Sequence, residues 1–313
     1  MGWVGNDLVS ARLLTAMKKD YALVARAIAD FERVLMVAEP GFAGEAESYC
    51  GPGVEVVELP LRVSWVRDGA PFFVRNGSDV VAVEFQFNRW GHRLPPSAEG
   101  ADAGAALARA LGVEHRRVSF VLEGGAISSD GEGTLLAAES TILARNRNPN
   151  ATRSDAEAVF RGALGIERVI WLEHGLLEDG TGGHVDNVAA FVAPGRVLCQ
   201  MVPDRDDPNF ERLASNRDAL ADATDARGRR LDVVELDLLP YRPWAGRRIA
   251  LPYVNAFVGN GVVVVPLALA PTDDEALRRL GNVFPGREVV GVPATNLARG
   301  GGGPHCITQH VPG

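Results

Sequence analysis

The sequence of 313 residues has only three cysteines, no long apolar run and no basic cluster. An odd cysteine count, in a chain whose first residues lack the basic and apolar regions of a secretory signal, argues against a disulfide framework. No apolar run approaches the roughly 20 residues that a membrane-spanning helix needs. The net charge of −8 argues against nucleic acid as a partner and suits a small cation better. We therefore expect a cytoplasmic protein that binds neither membrane nor nucleic acid.

The pattern of apolar residues indicates an α/β protein. With 46% apolar and 23% charged residues, the composition is that of a globular chain. Apolar residues at steps of three and four between Leu14 and Phe31 predict an amphipathic helix, and a strand follows from Val34. Such helix-to-strand junctions recur, with helices predicted to end at Gly112 and Gly165 and strands predicted from Val118, Val169, Val233 and Val289. Short strands between them make each unit a small mixed ββαβ module. We expect five such modules around an axis, as a single-domain α/β propeller over residues 1–313.

The three cysteines lie in different sequence contexts. Cys199 lies in an apolar strand pattern, where a thiol is usually an inert core residue. Cys50 precedes the turn Gly51-Pro52-Gly53. Cys306 follows the glycine run Gly300–Gly303, and glycines let a backbone approach a ligand closely. Cys306 is therefore the candidate reactive thiol.

Acidic residues and a histidine stand where predicted strands pass into loops. Asp68 precedes the apolar Phe72-Phe73-Val74, and Glu123 closes the strand from Val118 and is followed by two glycines. His184 and Asp186 are expected on one face of a strand, because side chains alternate with a period of two. With Cys306, these segments supply a thiol, an imidazole and three carboxylates.

This set of groups fits chemistry on a guanidine. Two carboxylates can clamp a planar guanidinium, and Asp68 and Asp186 are the candidates. Attack on its carbon requires a thiolate, for which Cys306 is the candidate. His184 can protonate the departing nitrogen and later deprotonate a water. Glu123 can pair with that imidazole and hold its tautomer.

Seven sequence motifs, in order from about residue 10 to the C-terminus, resemble those of the agmatine deiminase family, which includes bacterial-type peptidylarginine deiminases. They are Trp65–Pro71, Phe87–Gly91, Leu122–Gly125, Asn146–Pro149, Gly183–Asn187, Tyr253–Asn255 with Asn260-Gly261, and Gly301–Gln309. The resemblance implies a five-module propeller, a covalent thiouronium intermediate on Cys306 and release of ammonia. It implies His184 as acid/base, Glu123 as its partner, and Asp68 and Asp186 as guanidinium ligands.

The resemblance also implies a substrate and binding residues. We expect agmatine to be converted to N-carbamoylputrescine without metal or cofactor. Trp65, Trp90, Asn187 and Gly303 are expected to contact substrate, although core packing is a competing role for both tryptophans. A free or peptidyl arginine, a specialised guanidino compound, or amidino transfer to an amine are alternative activities, and a catalytically silent binding protein is a further one. A homo-oligomer is possible, and one sequence does not reveal the interface that would form it.

Departures from the family pattern concern the substrate and the first module. Gly182 stands where the family commonly has Asp, next to the expected pocket. The chain opens almost at the first helix, so the first module is expected to be shortened. Two other interpretations stay open. Asp68 beside Arg67 could form a surface ion pair, and His184, Asp186 and His174 could bind a metal.

Overall fold

The repeating helix and strand patterns form an α/β fold, seen in a computed structural model that describes residues 1–5, 10–94 and 100–313. Its helices are α1 (Ala11–Ala29), α2 (Ala43–Cys50), α3 (Val66–Gly69), α4 (Arg89–His92), α5 (Ala103–Leu111), α6 (Glu139–Ile142), α7 (Arg153–Leu164), α8 (Phe210–Asp222), α9 (Asp273–Val283) and α10 (Thr295–Gly300). In residues 10–94 and 100–313, no helix is long and apolar enough to cross a bilayer.

The strands are short and lie in several separate sheets. They are β1 (Leu35–Ala38), β2 (Glu55–Glu58), β3 (Phe72–Asn76), β4 (Asp79–Gln86), β5 (Glu114–Val121), β6 (Ile127–Ser129), β7 (Thr134–Ala138), β8 (Arg168–Leu172), β9 (Ala189–Ala193), β10 (Arg196–Gln200), β11 (Asp232–Leu236), β12 (Tyr241–Trp244), β13 (Arg247–Ala250), β14 (Phe257–Val258), β15 (Val262–Leu267) and β16 (Glu288–Pro293).

Four sheets repeat one strand order, β3-β4-β5, β6-β7-β8, β9-β10-β11 and β14-β15-β16. In each, the first two strands are antiparallel. The third strand follows a helix, and it is parallel to the second in the last three of these sheets. This is the predicted ββαβ order. The parallel pair β1-β2 and the hairpin β12-β13 complete the sheets of the described chain, and none of these sheets is closed.

Helix ends follow ordinary capping chemistry. The hydroxyl of Ser10 accepts the N–H of Leu13 at the start of α1. Thr152 and Asp155 form a capping box at the start of α7. Gly112 and Gly165 end α5 and α7 in the left-handed region, as the sequence analysis expects for glycines at those positions. The predicted helix boundaries at these two glycines are therefore confirmed.

The chain divides into two compact units. Unit 1 consists of Met1–Glu84, Ser97–Arg117 and Asn255–Gly313, and unit 2 of Phe85–Pro96 and Val118–Val254. In unit 1, buried apolar side chains of α1 and the all-buried valine run of β15 belong to the core. In unit 2, β7, β8, β10 and α8 contribute to one apolar cluster. The expected single-domain organisation of residues 1–313 stays a prediction.

One local prediction is wrong. His184 and Asp186 do not lie on a strand, because Val185–Asn187 is a short 3₁₀ turn that His184 begins. The preceding Gly182 (φ 99°) and Gly183 (φ 110°) adopt positive φ, which interrupts an extended chain before it reaches His184. The period-two argument therefore does not apply to this segment.

Candidate active site

Cys306 of unit 1 is a buried thiol at the end of a glycine-rich loop. Helix α10 ends at Gly301, which has a φ of 111°. The N–H of Cys306 donates to the carbonyl of Gly303 over 3.1 Å. The side chain of Asn255 lies against the sulfur, with Nδ2 3.3 Å from Sγ. A short turn and one amide thus fix the position of the thiol.

Glycine is required in this loop because its neighbours leave no room for a side chain. A Cβ on Gly302 would lie 2.7 Å from the Trp65 ring and 2.9 Å from Cys306 Sγ. A Cβ on Gly303 would lie 2.6 Å from Asn255 Oδ1. The candidates Trp65, Gly303 and Cys306 therefore lie in one closely packed cluster of unit 1.

Asp68 belongs to the short helix α3 beside this loop. The N–H of Arg67 donates to the Cys306 carbonyl over 3.2 Å, and the Arg67 guanidinium lies 3.2 Å from His310 Nδ1. Asp68 is 5% exposed and Arg67 is 9% exposed. The alternative of a surface ion pair is therefore wrong, since both side chains are buried beside the chain that carries the thiol.

In unit 2, Glu123 and His184 form a fully buried pair. His184 Nε2 lies 2.9 Å from Glu123 Oε2. Arg147 donates to both oxygens of the same carboxylate, Nε to Oε1 and Nη2 to Oε2, each over 3.0 Å. Burial raises the pKa of Glu123, but hydrogen bonds and charges of His184 and Arg147 outweigh it and hold that pKa below its usual value. Glu123 is therefore a carboxylate at neutral pH.

The imidazole of His184 is fixed from its backbone as well. Asp179 Oδ2 accepts the His184 N–H over 2.9 Å and the Asn187 amide over 3.1 Å. A Cβ on Gly125 would lie 2.3 Å from His184 Nδ1 and 3.1 Å from Asp186 Oδ2. His184 Nδ1 and the Asp186 carboxylate thus both approach the backbone of Gly125, and glycine is needed there for space.

Trp90 lies on an unusual turn of unit 2. Arg89 (φ 58°), Trp90 (56°), Gly91 (73°) and His92 (63°) are all left-handed, a conformation that costs roughly 1–2 kcal/mol for each non-glycine residue. The turn is held by Asn88, whose Oδ1 accepts the Gly91 N–H, and by Asn146, whose amide donates to the Gly91 carbonyl. Trp90 packs edge-on against Phe87 with 5.1 Å between ring centroids. Trp65 and Trp90 are both half-buried.

The other two thiols have no comparable surroundings. Burial raises the pKa of Cys50 to about 11 and that of Cys199 to about 12. No group of three or more His, Cys, Asp or Glu side chains that could hold a metal occurs in residues 1–5, 10–94 and 100–313. The backbone of His174 instead exchanges hydrogen bonds with the side chain of Asn216 in unit 2.

Sequence reasoning did not assign roles to Arg147, Asn255 or Asp179. Arg147 and Asn255 lie within two of the quoted motifs, so a signal for each was present. Asp179 opens the sequence segment that contains His184, five residues ahead of it, but no role was predicted for its carboxylate. In the structure these three side chains contact Glu123, Cys306 and His184 respectively.

The fold and these two clusters define a class, α/β proteins that hold a buried thiol and a buried histidine paired with a carboxylate. The model of the Porphyromonas-type peptidyl-arginine deiminase family matches residues 1–312, and the chain belongs to this family. It is 37% identical over 302 residues to a curated Legionella pneumophila protein named "Putative agmatine deiminase", covering 96% of this chain and 87% of the relative.

Solved structures give the same result. The chain superposes on the agmatine deiminase of Enterococcus faecalis with a TM-score of 0.93 and 28% identity, covering 100% of this chain and 92% of that one. A structure titled as a putative peptidyl-arginine deiminase matches with a TM-score of 0.91 and 25% identity, covering 100% and 95%. The predicted family and α/β fold class are confirmed. The chain is a hydrolase of the agmatine deiminase type, acting on carbon–nitrogen bonds.

Proposed function

We propose that this protein hydrolyses the guanidino group of agmatine to a ureido group, releasing ammonia and forming N-carbamoylputrescine. The observation that carries the proposal is the buried Arg147–Glu123–His184 array, in a chain of this family that also holds the buried thiol of Cys306. The whole-length similarity to proteins named as agmatine deiminases supports agmatine as the substrate.

The proposed reaction begins with substrate binding and attack. Asp68 and Asp186, both nearly fully buried, bind the guanidinium as carboxylates. The sulfur of Cys306 forms a bond to the guanidinium carbon, which becomes tetrahedral. His184 gives a proton to one terminal nitrogen, the carbon–nitrogen bond breaks, and ammonia leaves. A thiouronium on Cys306 remains.

Hydrolysis then restores the enzyme. His184, now neutral, takes a proton from a water, whose oxygen bonds to the same carbon. The carbon–sulfur bond breaks, the sulfur leaves as the thiolate, and the remaining hydroxyl proton passes through solvent to the released ammonia. The net change is one guanidinium and one water converted to one ureido group and ammonium. Glu123 stabilises the imidazolium in both halves of the cycle, because its carboxylate lies 2.9 Å from Nε2.

A second candidate substrate is a peptidyl arginine. The family description and one similar structure carry that activity in their names. A side chain at position 182 would begin 3.3 Å from Arg147 Nη1, so the absence of the family's acid there changes the surroundings of Arg147. Free arginine, a specialised guanidino compound and amidino transfer belong to the same alternative, because only the tail of the substrate or the acceptor differs.

We further propose the finer organisation that the sequence analysis expects. The four three-stranded sheets and the β1-β2 sheet are the five modules of a propeller. Gly2 pairs with Val37 as an isolated parallel bridge beside β1, which supports a third strand position in that module. The protein acts in the cytoplasm on a small cationic guanidine, without nucleic acid, metal or cofactor.

The experiment is an assay of ammonia and ureido product from agmatine, free arginine and a blocked peptidyl arginine. It uses the wild-type protein, Cys306→Ala and the control Cys50→Ala, which removes a buried thiol that the mechanism does not use. We expect turnover of agmatine by the wild type and by Cys50→Ala, and none by Cys306→Ala. If peptidyl arginine is the one substrate of the three that is turned over, it replaces agmatine as the proposed substrate. If the folded wild type forms no product from any of the three, the proposed function is overturned.

A further inference from the structure

Helix α1 contacts two segments of unit 1 that carry site candidates. The Tyr21 hydroxyl donates to Ser64 Oγ over 3.3 Å, and its ring packs edge-on against Trp65 with 6.2 Å between centroids. Met17 packs against the backbone of Gly300, because a Cβ added to Gly300 would lie 2.6 Å from the Met17 side chain. The helix thus packs against the chain before Asp68 and against the loop before Cys306.

Between these contacts, α1 carries a buried carboxylate, Asp20, which is 4% exposed. Asp20 Oδ1 accepts the side-chain amide of Asn296, and Oδ2 accepts the N–H of Leu297, each over 3.3 Å. Both donors belong to the first turn of α10. The N-cap residue of α10 is Ala294, whose side chain cannot accept a hydrogen bond. Asp20 therefore supplies from another helix the acceptor that α10 lacks locally.

The same turn of α10 holds the glycine loop. The carbonyl of Leu297 accepts the N–H of Gly301 over 3.0 Å and that of Gly302 over 3.2 Å. Gly302 in turn packs directly against Cys306, since a Cβ there would lie 2.9 Å from Sγ. A continuous path of hydrogen bonds and contacts therefore runs from Asp20 through Leu297 and Gly302 to the thiol.

We propose that Asp20 is a positioning residue for Cys306, which as a carboxylate fixes the first turn of α10 and thereby the glycine loop. The inference rests on the proposed function, in which Cys306 is the nucleophile. A thiol must be held in line with the carbon that it attacks, and a misplacement of 1 Å can lower a rate by about 100-fold.

The charged groups around Asp20 make its role depend on pH. Arg299 of α10 favours the carboxylate, and it also donates to Asn296 Oδ1 over 3.2 Å. On α1, Lys18 is paired with Glu45 and Lys19 is exposed. Burial nevertheless raises the pKa of Asp20 to about 6. Below that pH the protonated group has one acceptor oxygen fewer, and it resembles an asparagine in shape and charge.

The test compares wild type with Asp20→Asn across pH 5 to 9, in roughly half-unit steps around the pKa of about 6. Two quantities are measured, kcat/KM for agmatine and the rate at which iodoacetamide alkylates Cys306, with the modified residue identified by mass spectrometry. Above pH 7 we expect the variant to be roughly 10- to 100-fold lower in kcat/KM and slower in alkylation. Towards pH 5 the two proteins are expected to converge, because Asp20 is then mostly protonated in the wild type.

Two further variants sharpen the test. Asp30→Asn removes an exposed carboxylate at the end of the same helix and is expected to match the wild type at every pH. Asn296→Ala removes one of the two donors to Asp20 and is expected to give a smaller loss than Asp20→Asn. It also keeps the proposal testable if Asp20→Asn does not fold, as checked by its far-UV circular dichroism.

Two results would overturn the positioning role of the carboxylate. One is a ratio of wild-type to Asp20→Asn alkylation rates, and of their kcat/KM values, that stays constant from pH 5 to 9. The other is a folded Asp20→Asn variant with the kcat/KM and alkylation rate of the wild type. The alkylation rate needs no substrate. If agmatine is not turned over, a pH-dependent difference in alkylation still supports Asp20, so failure of the proposed function and failure of this inference give different results.

Discussion

In unit 1 the thiol of Cys306 is held by closely packed backbone, whereas in unit 2 the imidazole of His184 is held by charge. Beside Cys306 lie the neutral amide of Asn255 and the backbone of Gly302, which also packs closely against the Trp65 ring. Around His184 lie Glu123 and, behind it, Arg147, all buried. In the proposed reaction Cys306 is the nucleophile, which must approach a carbon closely, so space decides its surroundings. His184 is the proposed proton carrier, which must gain and lose charge, so electrostatics decide its surroundings.

The comparison extends to the buried carboxylates. Glu123 is hydrogen-bonded to His184 and Arg147, which hold its pKa below its usual value in spite of burial. Asp20 accepts hydrogen bonds from neutral donors, the charge of Arg299 favours its carboxylate, and burial raises its pKa to about 6. Burial raises the pKa of both carboxylates, and the hydrogen bonds and charges of their partners decide whether the pKa ends above or below its usual value. The predictions below separate these effects.

The largest expected effect comes from Glu123→Gln in unit 2. The substitution keeps the shape of the side chain but removes the charge that stabilises the imidazolium, so we expect kcat to fall by about 10²–10⁴. Steady-state kinetics with agmatine measure it. Glu55→Gln, which alters an exposed ion pair with Arg33, is the matched control and is expected to leave kcat unchanged. An unchanged kcat in Glu123→Gln would mean that the charge of Glu123 is not needed for the proposed proton transfers by His184.

The next largest effect is a loss of unfolding free energy, which we expect from Arg147→Met. It leaves the Glu123 carboxylate buried with His184 as its remaining partner, and breaking a buried pair in this way costs about 3–5 kcal/mol of unfolding free energy. Urea unfolding gives the value. Arg33→Met removes an exposed partner instead, and its expected cost is about 0–1 kcal/mol. Equal losses in the two variants would contradict the special status of the buried array.

A smaller effect is expected from Gly302→Ala in unit 1. The added methyl would meet the Trp65 ring and Cys306, so the loop must shift, and we expect kcat/KM to fall roughly 10- to 100-fold. The matched control is Gly281→Ala in α9, where a Cβ meets nothing within 4 Å. That change is expected to stabilise the helix by about 0.4–1 kcal/mol without altering activity. Full activity in Gly302→Ala would show that space does not decide the position of the thiol.

The smallest expected effect is a pair of opposite slopes in stability against pH. The pKa of Glu123 is lowered on folding, so its stabilising contribution is full above the unfolded value of about 4.3 and is lost as the pH falls through the folded pKa. The pKa of Asp20 is raised to about 6, so its contribution is full below about 3.8 and is lost as the pH rises through about 6.

Differences in unfolding free energy between each variant and wild type report these slopes. As the pH falls below about 4.3, the disadvantage of Glu123→Gln should shrink. As the pH rises from about 4 to about 6, wild type should lose stability relative to Asp20→Asn. Slopes of the same sign would contradict the contrast between the two carboxylates.

The sequence by itself determined many elements of the fold and the candidate reactive groups. The apolar period from Leu14 to Phe31 gave α1, and the glycines at 112 and 165 gave two helix ends, because these signals act between residues a few positions apart. Motifs and side-chain chemistry indicated Cys306, His184 and Glu123. The strand predicted for His184 and Asp186 failed because the positive φ of two glycines outweighed the alternating pattern.

The tertiary structure decided which side chains contact the candidate reactive residues and fix their positions. Glu123 meets Arg147 across 24 positions and His184 across 61, and Asp20 meets Leu297 across 277. Periodicity and propensity describe neighbours along the chain, whereas these contacts depend on how distant elements pack. The pKa values of Glu123 and Asp20 follow from the same packing, since burial and the placement of nearby charges are properties of the folded chain alone.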